Sequence, residues 1–161
     1  MDARFTMFDN EIAAKFAKRF VGASLVIQQS PLQKTTQELV SLRVSQINGC
    51  GFCTDMHTKD AAAAGETPVR INLVAAWREA TVYTDAERAA LALAEEGTRL
   101  ADAHHGVSDE TWAEVRGHYD DDQIAALICL VALVNAANRM NVIVRTPAGS
   151  YEPGMFAAMT S

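Results

Sequence analysis

A short stretch of the chain, residues 48–57, carries the residue types that thiol chemistry needs. It places Cys50 and Cys53, two of the three cysteines in the 161 residues, three positions apart, and His57 follows four positions later. Two thiols at this spacing can close into a disulfide, and a nearby imidazole can take the proton that a thiolate must lose. The spacing therefore predicts reversible two-electron thiol chemistry, and it suits both a peroxidase and a disulfide reductase.

A helix beginning near Cys50 would bring these three side chains to one face. Cys53 and His57 stand at positions i and i+4, about 6 Å apart on a helix surface. Cys50 would lie at the helix start, where the partial positive charge of the terminus stabilises a thiolate. His57 can then accept the proton of Cys53 and return it to a leaving group. With a peroxide, the resulting sulfenic acid would condense with the second thiol to a disulfide, which an external dithiol must reduce.

One carboxylate is a candidate partner for the imidazole. Glu38 precedes Cys50 by twelve residues and lies in the preceding predicted helix. If the two helices fold back on each other at Asn48-Gly49, Glu38 approaches His57 and orients the ring. The same residue also fits the third position after Thr35 in a capping box, where it would accept a backbone N–H instead. The residues alone leave both roles open.

A structural zinc site is an alternative use of the Cys-x-x-Cys pair. Cys50, Cys53 and His57 supply three of the four ligands that such a site requires, and no second Cys-x-x-Cys follows. We therefore expect no metal and no other cofactor.

Three further residues in the apolar segment 121–144 have less specific roles. Cys129 is predicted to be a buried small hydrophobic residue. Asn135 and Asn138 are predicted to hydrogen-bond between helices or between subunits, because buried amides need partners.

Composition narrows the class of protein and its compartment. The formal net charge is −6 and no Lys/Arg-rich run occurs, so no nucleic-acid partner is expected. The longest apolar run, 124–134, is shorter than the ~20 residues of a membrane span, and the first residues lack the pattern of a signal peptide. Three cysteines are too few for a disulfide-stapled secreted scaffold. These features predict a cytoplasmic protein without a membrane partner.

The chain is predicted to be all-α, because helix-forming residues dominate and no segment alternates apolar and polar residues for long. We expect a single domain over 1–161, with its core at about 10–145 and a tail, 146–161, that frays or docks on a partner. Helices are predicted over 9–29, 35–47, 50–64, 68–77, 85–100, 109–118 and 120–144. Capping signals mark five of their starts, at Thr35, Thr67, Thr84, Ser108 and Asp120.

The spacing of Glu38, Cys50, Cys53 and His57 resembles the signature of the alkylhydroperoxidase D-like branch of the carboxymuconolactone decarboxylase family. The run 39–61 is similar to that family's core nearly throughout, and so are the segments 83–95 and 135–139. The resemblance covers most of residues 10–145. Phe52 stands between the two cysteines, where well-studied members carry a histidine and many relatives carry an aromatic residue.

This resemblance implies an all-helical fold, a homo-oligomer that is often a trimer or hexamer, and peroxidase activity through the cysteine pair. It implies that Cys53 is the peroxidatic cysteine and Cys50 the resolving one, with Glu38 and His57 as the proton relay. The substrate would be a hydroperoxide and the electron donor a dithiol or a protein reductant. Two alternatives remain: a dithiol–disulfide oxidoreductase that serves a partner protein, and a non-enzymatic oligomeric redox sensor.

Overall fold

Seven α-helices form the frame of the part of the chain that the computed structural model describes, residues 2–102 and 105–156. Single-turn 3-10 helices lie at Met7–Asp9 and Val74–Ala76, and these described residues contain no strand, so the predicted all-α class is confirmed. The helices are α1 Glu11–Gln28, α2 Lys34–Ile47, α3 Gly51–Ala63, α4 Pro68–Leu73, α5 Asp85–Thr98, α6 Asp109–His118 and α7 Asp121–Val144.

Side-chain caps begin four of these helices where the sequence predicted them. Full capping boxes begin α5 and α7, and single side-chain caps begin α4 and α6. Each cap satisfies a backbone N–H that the first helical turn leaves without a partner. The capping residues are Thr84, Asp120, Thr67 and Ser108.

The capping box predicted at Thr35 is wrong. Helix α2 begins one residue earlier, at Lys34, and its N-cap Gln33 makes no side-chain cap bond. The buried amide of Gln37 fixes this helix start instead, because it donates to carbonyls at the end of α1 and in the following loop, at 3.2 and 2.8 Å. Glu38 therefore lies in the second turn of α2, with its carboxylate directed to partners other than the helix start.

Helix α2 lies between two hydrophobic clusters and is buried on both sides. Val40 and Val44 belong to a cluster formed mainly with α5 and α7. Leu39 and Leu42 belong to a second cluster that includes residues of α3, α4 and α5. All four side chains are at most 1% exposed, and burial of such a side chain contributes about 1.5–3 kcal/mol. This two-sided packing makes α2 a rigid base for its polar side chains.

Helix α7 buries one face and leaves the other exposed. Leu127 and Val131 face the core at helical spacing, whereas Ile128 is 49% exposed. Cys129 lies on the exposed face, so the prediction of a buried cysteine is wrong. Among the described residues, α7 is the one helix that is long and apolar enough to cross a membrane, a test that core helices of soluble proteins also pass.

Residues 147–156, named the C-terminal strap here, fold back from α7 onto α3. The backbone N–H groups of Gly149 and Tyr151 donate to Asp55 Oδ2 at 2.8 and 3.4 Å. The ammonium of Lys59 donates to the Tyr151 carbonyl at 2.8 Å. The strap thus docks on α3 of its own chain, so the expectation that these residues fray is wrong, and docking of the tail on a partner stays a prediction. The rest of that tail, 157–161, lies outside the described residues.

Candidate active site

A tight turn joins α2 to α3 and sets the position of the first cysteine. The Cys50 N–H donates to the Ser45 carbonyl and the Gly49 N–H to the Gln46 carbonyl, which is the Schellman pattern of a helix end. Gly49 adopts a left-handed conformation at φ 64°, which glycine reaches without steric cost. Cys50 follows at once as the N-cap of α3, so the predicted helix start at the cysteine pair is confirmed.

Buried amides fasten this turn to α7. The side-chain amide of Asn48 donates to Oδ1 of both Asn135 and Asn138, at 3.0 and 2.9 Å. The Asn138 amide donates in turn to Ser45 Oγ at 3.1 Å. The prediction that the two α7 asparagines make hydrogen bonds between helices is therefore confirmed, and these bonds lie within one chain. They hold the loop before Cys50 in a single position.

The two cysteines of the turn are joined by a disulfide. Their Cα atoms are 5.3 Å apart, and each residue is only 1% exposed. The backbone N–H of Cys53 donates to Cys50 Sγ at 3.2 Å. The amide of Asn141 donates to Cys53 Sγ at 3.5 Å. Each sulfur thus accepts an N–H, and an N–H donor favours the thiolate form of a sulfur after reduction.

Glu38 and His57 meet across the α2–α3 interface. His57 Nδ1 lies 2.9 Å from Glu38 Oε2, and Lys34 Nζ lies 2.6 Å from the other carboxylate oxygen. Burial would raise the pKa of Glu38, but the hydrogen bond with His57 and the charge of Lys34 lower the pKa below its ordinary value. Because Glu38 is thus an anion, Nδ1 of His57 carries the hydrogen of this contact and donates it to the carboxylate.

A second carboxylate, Asp60, lies beside this pair. One ligand atom each of Glu38, His57 and Asp60 lies within 4.8 Å of the other two. The Tyr151 hydroxyl donates to both oxygens of Asp60, at 3.0 and 3.1 Å. Burial raises the pKa of Asp60 most, and repulsion from Glu38 adds to the rise, whereas the Tyr151 hydrogen bond opposes it. Burial and the Asp60 hydrogen bond raise the pKa of Tyr151 to about 12.

Glu38, His57 and Asp60 have side chains of the types that could hold a metal ion. In this structure, however, each of them already has a partner: Glu38 holds Lys34 and His57, and Asp60 holds Tyr151. An ammonium group on a carboxylate oxygen opposes a cation at the same place. The contacts of the structure thus form a hydrogen-bonded cluster of two carboxylates, an imidazole, an ammonium group and a phenol.

The structure pairs the four residues that the sequence singled out, Cys50 with Cys53 in the disulfide and Glu38 with His57 at 2.9 Å. Cys53 and His57 lie one helical turn apart on α3. The structure adds Asp60, Asn141 and Tyr151, which the sequence analysis did not assign. A weak signal existed for Asn141, since it follows Asn138 by three residues and so lies near it on the same apolar helix. Asp60 stands three residues after His57, but acidic residues at that spacing are common on solvated helix faces.

Comparison with known proteins identifies the family. The carboxymuconolactone decarboxylase family model matches residues 14–96. The uncharacterized protein YdfG of Bacillus subtilis (strain 168) is 40% identical over 140 residues, which cover 87% of this chain and 94% of that protein. The chain therefore belongs to the carboxymuconolactone decarboxylase family.

Solved structures refine this assignment. ATU0492 of Agrobacterium tumefaciens, a protein of unknown function and candidate antioxidant defence protein AhpD, has a TM-score of 0.86 and 31% identity over 93% of this chain and 100% of its own. The debrominase Bmp8 has a TM-score of 0.74 at 18% identity, covering 84% of this chain and 72% of its own, which shows a shared fold. Within the family, the chain belongs to the alkylhydroperoxidase D-like branch.

Proposed function

We propose that this protein is a thiol peroxidase that reduces hydrogen peroxide or organic hydroperoxides through a Cys50–Cys53 dithiol/disulfide cycle. Membership of the alkylhydroperoxidase D-like branch supports a peroxidase-related, antioxidant role. The observation that carries the proposal is the 2.9 Å contact of His57 with the ionised Glu38, one turn beyond Cys53 on the same helix. This contact supplies a base next to the thiol that must lose its proton.

The cycle begins from the reduced pair. His57 Nε2 takes the proton of Cys53, and the thiolate attacks the distal oxygen of the O–O bond. Cys53 becomes a sulfenic acid, and the leaving alkoxide takes the proton back from His57 and departs as an alcohol, or as water from hydrogen peroxide. Cys50 then attacks the sulfenic sulfur, which forms the disulfide and releases one water molecule.

An external dithiol completes the cycle by two thiol–disulfide exchanges. Its first thiolate attacks one sulfur of the Cys50–Cys53 disulfide, and its second thiol resolves the mixed disulfide. The dithiol is oxidised, both protein thiols are restored, and the two electrons that reduced the peroxide are replaced. Each cysteine is only 1% exposed, so a protein reductant reaches the pair only after local movement of the covering residues.

A dithiol–disulfide oxidoreductase is a second candidate function. It is favoured by the N-cap position of Cys50, whose sulfur accepts the Cys53 N–H at 3.2 Å at the positive end of α3. The same arrangement stabilises a Cys50 thiolate, which would be the nucleophile toward a partner's disulfide. The two candidates therefore differ in which cysteine attacks first.

Two serine variants test the proposal and separate these candidates. With Cys50→Ser, Cys53 should react once with peroxide and stop as sulfenic acid, which mass spectrometry after trapping with dimedone detects. With Cys53→Ser, peroxide consumption should be lost. Turnover at the wild-type rate by Cys50→Ser would contradict its resolving role. Retained disulfide exchange in Cys53→Ser without any peroxide reaction would favour the oxidoreductase.

We further propose that the protein assembles as a cytoplasmic homo-oligomer, because its resemblance to the family implies a trimer or a hexamer. Apolar side chains on the outer surfaces of the neighbouring helices α1 and α7 support this proposal. They are Ile12, Phe16, Val26, Ile128, Val142 and Ile143, each at least 48% exposed. Light scattering after size-exclusion chromatography should give a multiple of the chain mass, and a monomer at all concentrations would contradict assembly.

A further inference from the structure

The C-terminal strap delivers one buried tyrosine to the relay. Tyr151 is 4% exposed although it lies outside any helix. Its ring contacts Phe52 edge-on at a centroid distance of 6.3 Å and Phe156 at 6.0 Å. Its backbone is held by Asp55 and Lys59 of α3. Backbone and ring contacts together fix the direction of the hydroxyl.

Among the residues that the structure describes, that hydroxyl donates to the carboxylate of Asp60, at 3.0 and 3.1 Å. Asp60 in turn lies within 4.8 Å of both the His57 and the Glu38 ligand atoms. The charged and titratable groups that face Asp60 are Tyr151 from the strap, His57 on α3, and Glu38 and Lys34 on α2. The strap thus reaches Asp60 by a hydrogen bond, and Asp60 lies beside the Glu38–His57 pair.

We propose that Asp60 and Tyr151 are positioning residues of the relay: Tyr151 keeps Asp60 ionised beside His57, and that second negative charge favours proton transfer from Cys53 to the imidazole. This proposal rests on the proposed function, because it deepens the role of the same site. It also gives the C-terminal strap a chemical role in addition to covering α3.

The charges of the cluster explain the direction of the effect. Lys34 balances one carboxylate, so two ionised carboxylates leave one negative charge next to His57. Transfer of the Cys53 proton leaves a thiolate on Cys53 and makes the imidazole cationic, so that the remaining carboxylate charge lies next to a cation. In a partly buried site, where charges interact more strongly than in water, an opposite charge favours the charged form of its neighbour. Without the Tyr151 hydrogen bond, burial and Glu38 favour protonation of Asp60, which removes that charge.

The test measures the thiolate directly and involves no peroxide. In a Cys50→Ser, Cys129→Ser background, Cys53 is the sole thiol of the protein. Its ionisation is followed by thiolate ultraviolet absorbance from about pH 4 to about pH 9, a range that brackets perturbed cysteine pKa values. Asp60→Asn and Tyr151→Phe are introduced one at a time. The matched control is Tyr119→Phe, which removes a tyrosine hydroxyl that donates to the Ala86 carbonyl at 2.7 Å.

Asp60→Asn should move the Cys53 midpoint upward by about one pH unit, a roughly tenfold loss of thiolate below the midpoint. Tyr151→Phe should move it in the same direction by a smaller amount, and Tyr119→Phe should leave it in place. Unchanged midpoints in both Asp60→Asn and Tyr151→Phe, with native circular dichroism, would overturn the proposal and leave the pair a structural role. If the two variants shift the Cys53 midpoint but the wild-type protein reacts slowly with peroxide, the proposed function is contradicted. The role of Asp60 and Tyr151 in the ionisation of Cys53 then still holds.

Discussion

Glu38 Oε2 and His57 Nδ1 lie 2.9 Å apart on two helices joined by a single tight turn. The carboxylate is 4% exposed and also holds the Lys34 ammonium at 2.6 Å. The pair therefore fixes both the orientation and the tautomer of the imidazole, and these two properties decide whether Nε2 can serve Cys53.

Replacement of Glu38 by glutamine should leave the orientation and the tautomer of the His57 imidazole less firmly fixed. Glu38→Gln keeps the shape of the side chain but removes the negative charge, so either imidazole tautomer can be held. The rate of Cys53 oxidation by hydrogen peroxide should fall about a hundredfold, at the low end of the range for positioned acid–base groups. Glu110→Gln is the control, because it makes the same change at an exposed position of α6. A Glu38→Gln rate equal to that of wild type would contradict the relay.

The stability that Glu38 contributes should depend on pH in a defined direction. Its pKa is lowered in the folded state from an ordinary value of 4.5, so the contribution is present above that value and is lost as the pH falls through the folded-state pKa. The free energy of unfolding of Glu38→Gln should be lower than that of wild type by about 1–3 kcal/mol at neutral pH, as for hydrogen bonds to charged groups. Urea unfolding should show this difference shrinking in acid; a difference that grows there would contradict the assignment.

Most helix starts could be predicted from the sequence because the signals that fix them are local. Capping residues such as Thr84 and Asp120 act within one helical turn, so the starts of α5 and α7 are encoded locally. The Cys53–His57 spacing likewise needs only a helix. The capping box at Thr35 failed because the buried Gln37 amide, bonded to the end of α1, fixes the start of α2 instead.

The residues that the sequence could not reveal are brought to the site by long-range packing. Asn141 is 88 residues from Cys53, and Tyr151 is 91 residues from Asp60. No helical periodicity relates positions so far apart, since each contact depends on how α7 and the strap pack against α3. Cys129 was misassigned for a similar reason, because the composition of α7 does not show which of its faces the other helices cover.

Asn141 should influence the reactivity of Cys53 through its amide. Its Nδ2 group donates to Cys53 Sγ at 3.5 Å and to the Ala137 carbonyl at 3.1 Å. Asn141→Ala removes the donor, and Asn141→Asp places an anion next to the sulfur. Because both changes disfavour the thiolate, the Cys53 midpoint should rise in the order wild type, Ala, Asp. Titration of thiolate absorbance in the single-thiol background measures this order, and identical midpoints would show that the amide does not act on the sulfur.

The strap should control access to the disulfide. Asp55 Oδ2 accepts the backbone N–H groups of Gly149 and Tyr151, so Asp55→Ala removes the acceptor that holds the strap on α3. Reduction of the Cys50–Cys53 disulfide by dithiothreitol should become several-fold faster, because both cysteines are 1% exposed while the strap lies on α3.

The matched control for the strap is Glu152→Ala, which removes a carboxylate from an exposed strap position. Its reduction rate should equal that of wild type. Equal rates for Asp55→Ala and wild type would show that reductants reach the disulfide by a route that the strap does not cover.

The proposed function requires that Cys53 is a peroxidatic thiol activated by its surroundings. The most direct measurement is stopped-flow oxidation of the fully reduced protein by hydrogen peroxide and cumene hydroperoxide, with thiol counting, for wild type and Cys53→Ser. We expect rapid loss of two thiols to an intramolecular disulfide in wild type and no such phase in the variant. Oxidation of wild type no faster than that of a free thiol with the same pKa would contradict this role of Cys53.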